Sequence, residues 1–242
     1  MSQTISAPSD MSPAEPEPRP VVVMVLYPGF TLLDLVGPHA ALHAVMEVRL
    51  VARTLDPVVS DSGVAMQPTH TFADVPAGCD VLFVPGGAGT AEAIADHATV
   101  DYLARTGADA RYVTSVCSGS LVLGAAGLLK GYRAGCHWSA LELLASVGAE
   151  PVAERVVVDR NRMTGGGVTA GLDFGLTLLA QMVGEDTARL TQLMMEYDPE
   201  PPFDSGSPAT ATPELVGAVR AMVQPVNAAT IAALAGASRR GR

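Results

Sequence analysis

The chain has 242 residues, of which 48% are hydrophobic, and its formal net charge is −10. This hydrophobic share excludes a wholly disordered chain, and the acidic balance argues against a nucleic-acid partner, because such partners need a basic face. The cysteines are Cys79, Cys117 and Cys136. Their odd number and spacing exclude a disulfide framework and a zinc site, and they are typical of a cytoplasmic protein.

The two ends of the chain differ in composition from the part between them. Residues 1–20 are rich in Ser, Pro and Glu, which predicts a disordered arm and not a signal peptide. No run reaches the ~18 uninterrupted apolar residues of a membrane span, so no membrane partner is expected. We predict a single domain over 21–223 and a tail over 224–242 that is weakly helical and then disordered.

Strand and helix patterns alternate through the rest of the chain. The predicted elements, in chain order, are a strand at 21–26, a helix at 31–45, a strand at 47–53, a hairpin at 57–68, a strand at 80–87, helices near 90–95 and 99–109, a strand at 111–116, helices at 118–129 and 137–148, β-like stretches at 152–159 and 162–166, and helices at 170–183 and 185–196. This alternation predicts a doubly wound, mostly parallel α/β sheet of the flavodoxin-like kind, with helices on both faces.

Cys117 follows the predicted strand 111–116 directly and precedes a predicted helix. A thiol on such a turn resembles the nucleophile elbow of hydrolases, and the small residues 118–120 permit the turn. The helix N-terminus is expected to lower the pKa of the thiol, and the Ser118 N–H could donate to an anion beside the sulfur. A buried structural thiol is the competing interpretation, and it is the one we favour for Cys79, before a strand, and for Cys136, on a presumed strand.

A Gly-rich turn at 85–89 ends the strand before. It has neither the GKS/T of a P-loop nor the GxGxxG of a dinucleotide site, so neither a P-loop nucleotide nor a dinucleotide cofactor is expected. If the amides of Gly86 and Gly87 lie beside Cys117, they would complete an oxyanion hole. Taken alone, a plain tight turn is the better interpretation.

Several ordered segments together resemble the ThiJ/PfpI superfamily, which has the class I glutamine amidotransferase-like fold. They are LYPGFTLLDLVGPHAAL, FVPGGAGT, RYVTSVCSGSLVLGAAGLL, RMTGGGVTAGLDFGLTL and EYDPEPPFDSGSP. Within the superfamily the segments are most similar to those of the isocyanide hydratases. The resemblance covers about 21–223, and it implies a homodimer that uses no metal or organic cofactor.

The resemblance also implies roles for particular residues. The catalytic cysteine maps onto Cys117, and the acidic residue that contacts it maps onto Asp34, which alone would be interpreted as a solvated or capping carboxylate. The backbone N–H groups of Gly87 and Ser118 map onto oxyanion-binding amides, and Val168 and Thr169 onto the substrate-binding region. The residues expected nearby are Gly166 and His137. For His137, a purely structural role is as plausible as a role in the site.

Three functions are compatible with these residues. The resemblance implies hydration of an isocyanide to an N-substituted formamide, through a thioimidate on Cys117. A glyoxalase or deglycase would use the same cysteine, but such enzymes favour Glu at the acid position and a nearby His, whereas Ser118 directly follows the cysteine here. A ligand-sensing domain of a transcriptional regulator is the third possibility, disfavoured by the acidic charge.

Overall fold

A seven-stranded sheet forms the centre of the computed structural model, which describes residues 18–75 and 78–240. The described strands, in chain order, are β1 (Val21–Val25), β2 (Glu47–Ala52), β3 (Val58–Val59), β4 (Ala65–Met66), β5 (His70–Thr71), β6 (Val81–Val84), β7 (Tyr112–Val116), β8 (Arg133–Ala134), β9 (Glu150–Pro151), β10 (Val156–Asp159) and β11 (Arg162–Gly165).

The order of the central sheet is β10-β11-β7-β6-β1-β2-β5, and every pairing in it is parallel except that of β10 with β11. The predicted mostly parallel sheet is therefore confirmed. β3 and β4 pair separately as an antiparallel hairpin, also as predicted. β8 and β9 form a small parallel pair.

The helices contact one another in two separate groups, as expected when helices cover the two faces of a sheet. In chain order they are α1 (Leu32–Leu42), α2 (Thr90–Ala95), α3 (His97–Asp109), α4 (Gly119–Ala125), a 3-10 helix (Leu141–Val147), α5 (Ala170–Val183), α6 (Glu185–Met194) and α7 (Pro213–Arg240). α1 and α6 pack on α5, whereas α2 packs on α3, α4 and α7. Where a helix was predicted at 137–148, the structure has the shorter 3-10 helix Leu141–Val147.

The core lies on the central strands, where apolar runs are buried on both faces of the sheet. Val22–Val25 of β1 and Val81–Val84 of β6 are fully buried. β-branched side chains suit this position because they pack well on a pleated surface. The unbroken runs that predicted buried strands therefore occupy two adjacent positions in the interior of the sheet.

The sheet has a topological switch point between β1 and β6. From β1 the chain proceeds to β2 on one side, and from β6 it proceeds to β7 on the other side. Because these strands are parallel, the segments after β1, β6 and β7 all lie at the same edge. Ligand sites in such folds form at the carboxyl ends of the strands beside the switch point.

The C-terminal end of the chain differs from the prediction, whereas the predicted N-terminal arm is described only from residue 18. Most of the predicted arm lies outside the described residues, but Arg19 is held by hydrogen bonds to the carbonyl oxygens of His43 and Met46. At the other end, the boundary predicted between 223 and 224 falls inside α7, so residues expected to be partly disordered are helical through Arg240. Within the described part of the chain, α7 is also the one helix long and apolar enough, by length and composition alone, to cross a membrane.

Candidate active site

Cys117 sits on the sharp turn between β7 and α4. Its φ of +59° is in the left-handed region, which is unfavourable for a residue with a side chain. The Cys117 N–H donates to the carbonyl oxygens of Gly165 and Gly166, at 3.1 and 2.7 Å. A Cβ atom at Gly119 would lie 2.2 Å from the Val84 carbonyl oxygen, so only glycine fits there. The predicted strand–turn–helix geometry is confirmed.

Asp34 is fully buried in the first turn of α1, and its carboxyl group lies beside the Cys117 thiol. Oδ2 accepts a hydrogen bond of 2.8 Å from the Gly86 N–H, whereas Oδ1 has no hydrogen-bond partner among the described residues. Burial raises the pKa of Asp34 to about 7, although the Gly86 N–H and the neighbouring Cys117 thiol act to lower it. The carboxyl group therefore exchanges protons near neutral pH.

The pKa of the Cys117 thiol is raised well above its ordinary value, first by burial and then by the Asp34 carboxylate. The Ser118 N–H and hydroxyl act in the opposite direction and are outweighed. The lowering expected from the helix N-terminus is therefore present through the Ser118 N–H, but the net pKa is raised because the loss of solvation is the larger effect. The thiol stays neutral at rest and needs a base beside it to become a nucleophile.

The amides of the Gly-rich turn bind protein groups. The Gly86 N–H is committed to Asp34, so the prediction that Gly86 supplies an oxyanion amide is wrong for this arrangement. The Gly87 N–H donates to Ser118 Oγ at 3.0 Å. Gly87 has a φ of +145°, and a Cβ there would lie 2.3 Å from the Gly29 carbonyl oxygen. The turn thus holds Asp34 and Ser118 in place.

Two residues at this edge were not predicted from the sequence. Thr90 Oγ1 lies 2.7 Å from both the Gly87 carbonyl oxygen and Ser118 Oγ. The Tyr27 hydroxyl donates to the Pro85 carbonyl oxygen at 2.7 Å, and burial raises the pKa of Tyr27 well above its usual range. Tyr27 lies shortly after β1, and Thr90 lies after the Gly-rich turn that follows β6. Their positions beyond the carboxyl ends of buried strands are the signal that could have identified them.

A cavity of about 220 Å³ opens beside the thiol. Its walls come from the Gly-rich turn, α4, the segment after β8, the turn before α5 and α7. The lining residues are Thr31, Gly87, Ala88, Thr90, Cys117, Ser118, Leu121, His137, Ser139, Ala140, Val168, Val223, Val226, Asn227 and Thr230. A larger groove of about 460 Å³ on the outer side of α2 contains no thiol, so it is not the candidate active site.

The cavity contains some of the residues predicted near the site and leaves others outside. Val168 and His137 line it, as expected, whereas Thr169 and Gly166 do not. The Thr169 carbonyl oxygen instead accepts a hydrogen bond from Arg155. Cys136 lies after β8 and not on a strand, and burial raises its pKa to about 12.

His137 is half-buried, and burial lowers its pKa, so the imidazole is neutral at pH 7. Its Nδ1 lies 2.8 Å from Ser139 Oγ and accepts from the Ser139 N–H at 3.3 Å. With Nδ1 as the acceptor, the ring proton is assigned to Nε2. Among the described residues, no group of three or more His, Cys, Asp or Glu side chains is placed to hold a metal ion.

Residues 20–181 match the sequence profile of the DJ-1/PfpI family. The chain belongs to this family. It is 52% identical over 203 residues to the isonitrile hydratase of Pseudomonas putida, covering 83% of this chain and 89% of the relative. It superposes on the crystal structure of a ThiJ/PfpI family protein from Pseudomonas syringae with a TM-score of 0.87 and 48% identity, covering 94% of this chain and 97% of that one.

Other relatives of this DJ-1/PfpI chain include transcriptional regulators. It is 30% identical over 144 residues to the HTH-type regulator GbdR of Pseudomonas aeruginosa, covering 58% of this chain and 38% of the regulator. The matched family profile ends at residue 181, before α6 and α7. Cys117 and Asp34 therefore lie inside the shared family region, whereas four of the cavity-lining residues lie beyond it.

Proposed function

We propose that this protein is an isocyanide hydratase, which converts an isocyanide and water into an N-substituted formamide. The observation that carries the proposal is that Cys117 lines a small, largely apolar cavity while the buried Asp34 lies beside its thiol. The 52% identity to the Pseudomonas putida isonitrile hydratase supports it, because the similarity extends over 83% of the chain.

The first step forms a thioimidate on Cys117. The Asp34 carboxylate removes the thiol proton, the sulfur attacks the terminal carbon of R–N≡C, and the same proton passes to that carbon. A C–S bond and a C–H bond form, which gives R–N=CH–S–Cys117. Because the pKa of Asp34 is about 7, its carboxylate and acid forms have similar energies near neutral pH, as a proton carrier requires.

The second step is hydrolysis of the thioimidate. A water molecule adds to the thioimidate carbon, and Asp34 carries one of its protons to the nitrogen, which gives R–NH–CH(OH)–S–Cys117. The remaining hydroxyl proton then passes through Asp34 to the sulfur as the C–S bond breaks, and R–NH–CHO leaves. No redox change occurs at any step. The Ser118 N–H lies beside the sulfur, so it is the donor best placed to stabilise negative charge there.

Three hydroxyl and amide groups orient Ser118 for this chemistry. If Thr90 donates to the Gly87 carbonyl oxygen, its own oxygen is left to accept from Ser118, and Ser118 accepts from the Gly87 N–H. This closed ring fixes the direction of the Ser118 hydroxyl. Gly87 could therefore donate to substrate only by giving up its bond to Ser118. The neutral His137, with a proton on Nε2, supplies a further donor at the cavity wall.

The exposed apolar side chains of α6 support a homodimer. Leu190, Leu193 and Met194 are 58%, 78% and 76% exposed, and Phe203 in the following segment is 77% exposed. A second copy of the chain that covers this surface would remove it from water. Light scattering tests the homodimer directly. A cytoplasmic location stays a prediction, consistent with the three free thiols.

Replacement of the thiol tests the function and its mechanism together. Cys117→Ala should lower formamide production from an isocyanide by at least about 10⁴-fold, because it removes the nucleophile. Cys79→Ala is the matched control, since Cys79 is buried elsewhere in the core. Formamide production by Cys117→Ala at the wild-type rate would overturn the mechanism. Turnover of methylglyoxal but of no isocyanide would instead favour the glyoxalase alternative.

A further inference from the structure

One wall of the active-site cavity is formed by α7. Val223, Val226, Asn227 and Thr230 line the cavity, at positions i, i+3, i+4 and i+7 of the helix. This spacing places all four side chains on one face. The buried Leu234 continues the same face one turn later. Met222, which directly precedes Val223, is 73% exposed and does not line the cavity.

α7 is fastened to the part of the site that surrounds the thiol. Asn227 Nδ2 donates to the Ser139 carbonyl oxygen at 2.9 Å, and the Ser139 hydroxyl is paired with His137. Thr230 is buried, and its hydroxyl donates to the Val226 carbonyl oxygen within the helix. The helix is therefore a fixed wall, and fixed apolar walls discriminate between substituents of different size.

The proposed catalytic residues and α7 lie in different parts of the chain. Cys117, Asp34 and Ser118 lie within the matched family region of residues 20–181, whereas α7 begins at Pro213. The wall formed by α7 can therefore differ between relatives without any change in the segment that carries Cys117 and Asp34.

We propose that Val223 and Val226 select the substituent R of the isocyanide by its size, an inference that rests on the proposed function. The R–N≡C group is linear, so R projects away from the carbon that bonds to Cys117 and into the rest of the cavity. With about 220 Å³ shared between the reacting group and R, the cavity favours small alkyl groups over fused aromatic ones. Val223 is half-buried and Val226 lies nearer the solvent.

Paired substitutions at Val223, which lines the cavity, and at the neighbouring exposed Met222 test the proposal. Val223→Phe should lower kcat/KM for cyclohexyl isocyanide by at least about tenfold relative to ethyl isocyanide, because the added ring occupies the space of the larger substituent. Val223→Ala should change the ratio in the opposite direction. Met222→Phe and Met222→Ala, at an exposed position outside the cavity lining, should leave the ratio within about twofold. An unchanged ratio in both Val223 variants, with circular dichroism matching the wild type, would overturn the proposal.

A second measurement does not depend on isocyanide turnover. Alkylation of Cys117 is followed by peptide mass spectrometry with iodoacetamide and with the bulkier N-naphthyl iodoacetamide. Val223→Ala should raise the rate ratio of the bulky to the small reagent by several-fold, and Val223→Phe should lower it. If the wild type hydrates no isocyanide but these alkylation ratios shift, the proposed function fails and the role of α7 as the selecting wall stands. If the ratios do not shift, the wall proposal fails.

Discussion

Replacement of Asp34 by asparagine should make the protein more stable at neutral and alkaline pH. The carboxyl group has an ordinary pKa of 3.8, and burial raises it to about 7 in the folded protein. The folded state therefore holds a proton that the unfolded state releases between these two pH values. The stability contributed by the protonated form is complete below 3.8 and is lost as pH rises through about 7. A neutral amide side chain at this position has no such proton to lose.

The size of the effect follows from the two pKa values. The difference between 3.8 and about 7 corresponds to about 4 kcal/mol, at about 1.4 kcal/mol for each pH unit. The free energy of unfolding of Asp34→Asn minus that of the wild type should therefore increase by about 4 kcal/mol from pH ~4 to pH ~8. The Gly86 N–H can still donate to the amide oxygen of the substituted side chain, so little else changes at the site.

Urea unfolding followed by circular dichroism at several pH values gives this difference directly. Asp159→Asn is a control whose pH dependence has the opposite sign and lies at lower pH, because hydrogen bonds from Arg160 and from the Arg133 N–H lower the pKa of Asp159 to about 2. Its stability difference from the wild type should stay nearly constant from pH ~4 to pH ~8 and change only below pH ~4. Asp159 stabilises the protein above 3.8, and this contribution is lost as pH falls through about 2. If the difference in free energy of unfolding between Asp34→Asn and the wild type stays constant within about 1 kcal/mol from pH ~4 to pH ~8, the reasoning about Asp34 is refuted.

Three further predictions concern the same turn. The kcat/KM of the wild type for an isocyanide should rise with pH to a plateau, with an apparent pKa of about 7, because the Asp34–Cys117 pair reacts after losing one proton. A pH profile of kcat/KM that is flat from pH ~5 to ~9 would contradict this prediction. Cys117→Gly should be more stable than Cys117→Ala by about 1 kcal/mol in urea unfolding, because the φ of +59° is strained for alanine; equal stability would show that the turn relaxes. Gly119→Ala should destabilise the protein by more than about 2 kcal/mol or prevent its accumulation, whereas Gly206→Ala, where a Cβ meets nothing within 4 Å, should leave thermal stability nearly unchanged.

Much of the architecture was predictable because it depends on local patterns. Unbroken apolar runs predicted β1 and β6, and the strand predicted at 111–116, followed at once by Cys117 and small residues, predicted the turn. The helix over 137–148 was predicted too long, because weak helical spacing does not distinguish an α-helix from a 3-10 helix. The position of Asp34 beside the thiol came from the family resemblance, since a single carboxyl in a helical pattern carries no local sign of burial.

The sequence by itself determined the parallel sheet, the turn at Cys117 and the edge at which the reactive groups meet, since these follow from periodicity and from chain connectivity. Tertiary structure alone decided the protonation of the site. The pKa values of Asp34 and Cys117 are raised by burial, which depends on what the rest of the fold places around them and outweighs the helix N-terminus that the sequence made visible. It also decided that α7 closes the cavity, because a contact between Asn227 and Ser139, 88 positions apart, leaves no trace in local sequence.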